Sequence, residues 1–202
     1  MILDKYKRLA KDLAQISLTA TCDETAQDFI LKAEVPQNEI GRFIFNLTVA
    51  NSIICIFAVN LAVKFDESIG QKILDPFLDF LMKNLEESKT IMIGDYIVHE
   101  DELEFLQKQY DVTQGTSTDI FTLFDMIYPI RSDEYYKEIF MGFQKGNYPG
   151  NLGPMFPLSK IFIRNHSGDG DVEKNAILAL MLSGFLYGFF SNVAKYCAGK
   201  LK

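Results

Sequence analysis

The chain reads as all-α, a single-domain multi-helix globule around two long buried apolar helices at about 37–64 and 172–200, and three observations lead there. Phe43 to Val63 and Asn175 to Ala194 carry no charged side chain; Arg42 and Lys64 bracket the first, Lys174 and Lys195 the second. A helix that is apolar on every side must be buried, in lipid or inside a globule, so the remaining chain is arranged around these two. The other segments place apolar residues at helical spacing, and residues 90–98 hold the one strand-like signal. Finally, 202 residues with 17 Phe and 9 Tyr supply one core, and 23% charged residues suffice to coat it.

Burial in protein is favoured over lipid. Asn46, Asn51, Ser52 and Asn60 fall on more than one side of the first apolar helix, so no rotation hides them all from a bilayer. Buried amides at about 2 kcal/mol each would offset most of the gain from the apolar residues. In a protein core the same amides can find hydrogen-bond partners. The second helix has a fully apolar centre from Ala176 to Phe190, about 22 Å long against about 30 Å of hydrocarbon. Its small residues Ala176, Ala179, Ser183, Gly184, Gly188, Ser191, Ala194 and Ala198 cluster on one side, opposite Leu178, Met181, Leu182, Phe185 and Phe189. Gly184-x-x-x-Gly188 is expected to lie under a closely crossing neighbour helix.

In chain order, Ile2, Tyr6, Leu9, Leu13 and Ile16 trace a helix face over 3–18. A second helix is expected from 24 to 34, with Thr21 and Glu24 spaced as a capping box. Pro36 opens the approach to the first apolar helix, and Asp66 is placed to cap the next. Asp75-Pro76 marks a kink or a fresh start, after which Phe77, Leu78, Leu81 and Leu85 face inward. Gly94-Asp95, flanked by Ile91 and Ile93 and by Tyr96 and Val98, fits a two-residue hairpin turn. Helices are then expected at 100–110, 118–128, 132–145, 157–165 and 172–200, with Ser132, Pro157 and Asp171 at or near their starts.

Between Gly146 and Pro157 runs the one extended irregular stretch that carries large apolar side chains. Such connections are uncommon in compact domains and often functional. Tyr148, Leu152, Met155 and Phe156 are therefore the candidate ligand- or partner-binding residues; the competing reading is that they pin the loop to the core.

The net charge of −7 is uneven, because residues 66–104 hold eleven acidic and three basic side chains. An acidic face of this kind keeps a protein soluble and can receive a basic protein partner. No basic run or basic-aromatic stripe is present, which argues against nucleic-acid binding, and the charge balance gives little attraction to anionic lipid. Cys22, Cys55 and Cys197 are odd in number and form no C-x-x-C pair, as expected in a reducing, cytoplasmic setting.

The sequence carries no familiar catalytic or metal-binding signature. Neither His99 nor His166 sits in H-E-x-x-H, and the nucleophile-elbow, Walker and dinucleotide glycine patterns are missing. The acidic run after His99 suits a helix N-terminus. Asp169, Asp171 and Glu173 mimic the start of a calcium loop, but Lys174 and Leu180 stand where its glycine and bidentate glutamate belong. The reading is thus a non-enzymatic cytosolic interaction or regulatory domain, with no cofactor, no metal and no catalytic residue assigned. The alternatives are a carrier or sensor of an apolar small molecule between Phe-rich helices, and a membrane-inserting helical protein.

Overall fold

The computed structural model describes residues 2–21, 23–35, 40–87, 92–93, 96–97, 132–144, 153–167 and 172–202. The described elements are α1 (Ile2–Thr19), α2 (Glu24–Lys32), α3 (Ile40–Ala62), α4 (Glu67–Glu87), β1 (Met92–Ile93), β2 (Tyr96–Ile97), α5 (Ser132–Gln144), α6 (Phe156–Ser167) and α7 (Val172–Leu201). The helices expected at 100–110 and 118–128 lie outside the described residues. β1 and β2 pair antiparallel, Met92 opposite Ile97 and Ile93 opposite Tyr96, the register a two-residue turn dictates.

α3 is the axis. Every residue from Asn46 to Val59 is buried, so no side of this stretch meets solvent, as its lack of charge requires. Around it, α1 contributes Leu9, Ala10, Leu13 and Ala14, α4 contributes Ile73, Phe77 and Leu81, and α5 contributes Tyr135 and Ile139. α6 adds Leu158, Phe162 and Ile163, and α7 adds Leu178, Leu182, Leu186, Phe190 and Val193, so one apolar core joins all these helices. α1 packs most extensively on α4, while α7 lies against both α3 and α6. The chain's ends are tied together by Tyr196 Oη, which donates to Asp12 Oδ2.

Local chemistry sets the boundaries. α2 is capped by Asp23, whose Oδ1 accepts from Ala26 N at 2.8 Å; the expected cap, Thr21, turns back and donates to Leu18 O. The correction is physical: Asp23 immediately precedes the helix and reaches the donor three residues on. Asp66 caps α4 as its position predicts, accepting from Ile69 N at 3.1 Å. Two helices end in the same way. After α2, Glu34 N donates to Leu31 O and Val35 N to Ile30 O; after α3, Lys64 N donates to Leu61 O and Phe65 N to Asn60 O. This is the Schellman arrangement, and it forces Glu34 to φ 52° and Lys64 to φ 55°, where glycine is usual. α4 continues through Pro76 without restarting. Proline removes one backbone hydrogen bond there, and Ile73, Phe77 and Leu81, buried on either side of it, hold the two halves in one line.

Candidate interaction surface

α7 is uncharged around its whole circumference from Asn175 to Ala194, yet only one flank is covered. Leu178, Ala179, Leu182, Ser183, Leu186, Phe190, Val193 and Cys197 are buried in the core. On the outward flank Ile177, Leu180 and Tyr187 are 55%, 48% and 47% exposed. At 3.6 residues per turn these three share an arc of about 100° with Gly184, Gly188, Ser191 and Lys195. The two glycines stand open: among the described residues nothing lies within 4 Å of where a Cβ on either would sit. α7 is also long and apolar enough, by length and composition alone, to cross a membrane.

The expected neighbour across Gly184 and Gly188 is therefore absent among the described residues. The small residues divide, with Ala179 and Ser183 buried and Ala176, Gly184, Gly188 and Ala198 outward. What decides the orientation is the large side chains: Leu178, Leu182, Leu186 and Phe190 recur every four residues and gain most from burial, so they turn inward and carry the glycines out.

Close backbone approach occurs elsewhere, at Gly142 of α5, where a Cβ would stand 1.9 Å from the Pro154 carbonyl oxygen. That contact anchors the described end of the 146–157 loop. Of the four loop residues singled out by sequence, Met155 is fully buried and Phe156 is half-buried against the core, while Tyr148 and Leu152 lie outside the described residues. Gly153 takes φ 76°, and Ser159 Oγ donates to Met155 O at 2.9 Å, so the chain turns sharply from Met155 into α6. The aromatic spacing around Gly142 in sequence carried no sign of this contact, because the partner is a distant backbone atom.

Asp66, Glu67, Asp75 and Asp79 face solvent on and before α4. Partial burial and the neighbouring Asp79 push the Asp75 carboxyl above the usual range. α1, packed along this helix, carries Lys5, Lys7, Arg8 and Lys11 against Asp4 and Asp12, so the acidic stretch has an oppositely charged neighbour. Asp95 and residues 98–104 lie outside the described residues.

In the interior, the α3 amides fare unequally. Asn60 Nδ2 donates to Tyr136 Oη at 3.0 Å, and Asn51 Nδ2 reaches Ser17 O at 3.5 Å, but Oδ1 of both Asn46 and Asn51 is buried without a partner among the described residues. Ser17 Oγ lies 3.6 Å from Cys55 Sγ, and burial pushes the Cys55 and Cys197 thiols each up to about 12. The Phe-rich space between helices is filled by rings in mutual contact. Phe143 and Phe190 have centroids 4.7 Å apart, Phe43 and Phe162 5.2 Å, and Phe57 and Phe143 5.4 Å. Among the described residues no group of three His, Cys, Asp or Glu side chains converges as a metal site would require. His166 falls in the last turn of α6, and His99 lies outside the described residues. No protein-family model, curated protein or solved structure matches this chain.

Proposed function

We infer that the chain is a non-enzymatic helical interaction domain and that the outward face of α7 is its contact surface. The observation that carries this reading is the conjunction on one arc of exposed Ile177, Leu180 and Tyr187 with two glycines that no neighbour among the described residues requires. Each glycine in a helix interior costs about 1 kcal/mol relative to alanine. Two on an open face are best accounted for by a backbone that approaches from outside. The acidic residues of α4 supply a second, weaker contribution: they favour encounter with a basic partner in the cytosol. Tyr148 and Leu152 retain the contact role proposed for the loop.

The test is a photo-crosslinking amino acid at position 180, compared with one at the exposed Lys11 of α1. Discrete adducts in cells at 180 alone support the surface, and their disappearance in an Ile177→Lys background assigns them to this face. Identical adduct patterns from the two positions would refute it.

A further inference from the structure

We propose that the pole of the molecule where α1 meets the end of α7 docks on an anionic membrane surface. Lys5 and Arg8 of α1, Lys195 and Lys200 of α7 and Lys202 just beyond it are the groups that meet the lipid headgroups. This surface is separate from the outward flank of α7 at Ile177 and Leu180, which lies about 22 Å or more along the helix from Lys195.

One hydrogen bond brings the five cations together. Tyr196 Oη donates to Asp12 Oδ2 and ties the two helices at that point. By helical register Arg8 and Lys5 lie one and two turns before Asp12 on the same side of α1. Lys200 lies one turn after Tyr196, its Nζ 5.2 Å from the centre of that ring, and Lys195 adjoins Tyr196 in the chain. Arg8, Lys195, Lys200 and Lys202 are exposed, and Lys5 is half-buried. None of the five is in an ion pair among the described residues, whereas Lys32, Arg164 and Lys174 each have one. From Lys174 to Lys202 the chain contains no Asp or Glu, and the carboxylates of α1 are Asp4 and Asp12, the second engaged by Tyr196. In a chain of net charge −7, a pole of unpaired cations is the feature to explain.

The charge of the whole chain predicts little attraction to anionic lipid, but the fold separates the signs. At physiological salt a charge is largely screened beyond about 8 Å. The carboxylates of α4 stand one helix away from α1, so the pole presents a locally cationic surface. Its chemistry selects the partner. Lysine supplies four of the five charges, and a lysine is a point charge on a flexible stem, suited to a layer of headgroups; recognition of one defined carboxylate or phosphate favours the fork of arginine. Five cations also fall in the range of roughly four to eight that holds a segment to an anionic leaflet. The exposed residues between Lys195 and Lys200 include Ala198 and Gly199, so no bulky side chain there keeps a flat surface at a distance.

Co-sedimentation with vesicles tests the proposal, using phosphatidylcholine alone and phosphatidylcholine with about 30 mol% phosphatidylserine, at about 0.1 M and about 0.5 M salt. The wild type is expected to bind the anionic vesicles at the lower salt, to be released at the higher, and to ignore the neutral vesicles. Each cation removed is expected to weaken binding about fivefold. Lys200→Glu combined with Lys202→Glu should therefore lose at least about tenfold, and Arg8→Glu, on the other helix, at least about fivefold, with unfolding midpoints at the wild-type value. Lys32→Glu, at the opposite end of α7 where Glu34 pairs with Lys174, is expected to change binding by less than about twofold. Ile177→Lys should lose no binding, which separates this surface from the contact flank of α7. A wild type that fails to bind anionic vesicles overturns the proposal, as does equal binding to both vesicle types, binding that survives the higher salt, or a charge reversal on either helix that leaves binding intact. An Ile177→Lys chain that no longer binds would move the lipid to the apolar flank and also overturn it. A wild type that ignores the vesicles but binds a soluble polyglutamate peptide would replace the membrane by an acidic protein.

Discussion

Gly142 and the carbonyl of Pro154 are in contact so close that no side chain fits between α5 and the turn into α6; a Cβ would lie 1.9 Å from the oxygen. The obstacle is backbone, which moves only with the turn itself. Gly142→Ala is therefore expected to lower stability by about 1–3 kcal/mol or more, visible as a lower denaturant midpoint. A midpoint equal to wild type would show that the turn yields freely.

The turn delivers Met155 into the core and leaves Phe156 half-buried. Met155→Ala is expected to cost about 2–5 kcal/mol, as a buried side-chain truncation. Phe156→Ala should cost less than the 3–5 kcal/mol typical of a fully buried aromatic. Equilibrium urea unfolding of the two variants checks the order, and a larger loss for Phe156→Ala would contradict it.

Much of this architecture was legible in the sequence, for reasons that can be traced. The uncharged run of α3 required burial on all sides, and Asn46 to Val59 are all buried. The 3.6-residue spacing of α1 and the position of Asp66 were equally direct. α7 was harder, because an uncharged circumference says that burial is favourable without saying which flank obtains it. The fourfold recurrence of Leu178, Leu182, Leu186 and Phe190 settles that in the fold, and with it the outward placement of Gly184 and Gly188. The candidate surface was hidden for the same reason: exposure is a property of what packs beside a helix. Asn46 and Asn51 show a further limit of pattern reading, since the pairing of an amide depends on atoms from other helices.

Lys64 offers a clean test of backbone strain. It occupies the left-handed position that ends α3, at φ 55°, and its side chain is exposed. A non-glycine residue there carries about 1–2 kcal/mol of steric cost. Lys64→Gly is expected to raise stability by up to about 1 kcal/mol after the added entropy of the unfolded chain is subtracted. Glu34→Gly, at the matching position after α2, should gain less because it also loses the ion pair with Lys174. Thermal and urea denaturation of both variants would reveal the order, and equal gains would show that the ion pair contributes nothing.

The two buried thiols give the protein an alkaline limit. Burial pushes Cys55 and Cys197 from an ordinary value of 9.0 up to about 12, so the folded state holds both protons more tightly than the unfolded chain. Their contribution is fully present below about pH 9 and is lost as pH rises towards 12. Stability is expected to fall steeply above about pH 9, and replacing both cysteines by alanine should flatten that fall. At neutral pH neither of these two thiols should react with an aromatic disulfide reagent until the protein unfolds. Prompt labelling of Cys55 or Cys197 in native buffer would contradict the burial argument.

The uncharged, buried stretch of α3 also sets a timetable for synthesis. It ends at Ala62, whereas α7, which covers one of its sides, begins at Val172, 110 positions later. At about 5–20 residues per second, the ribosome takes roughly 5–20 s to make the intervening chain. Through that interval the shelter the nascent chain itself provides is first α1 and α4 and then, once they are made, α5 and α6. Ribosome-bound chains halted before α7 should therefore recruit chaperones at α3, and release them once the final helix has emerged.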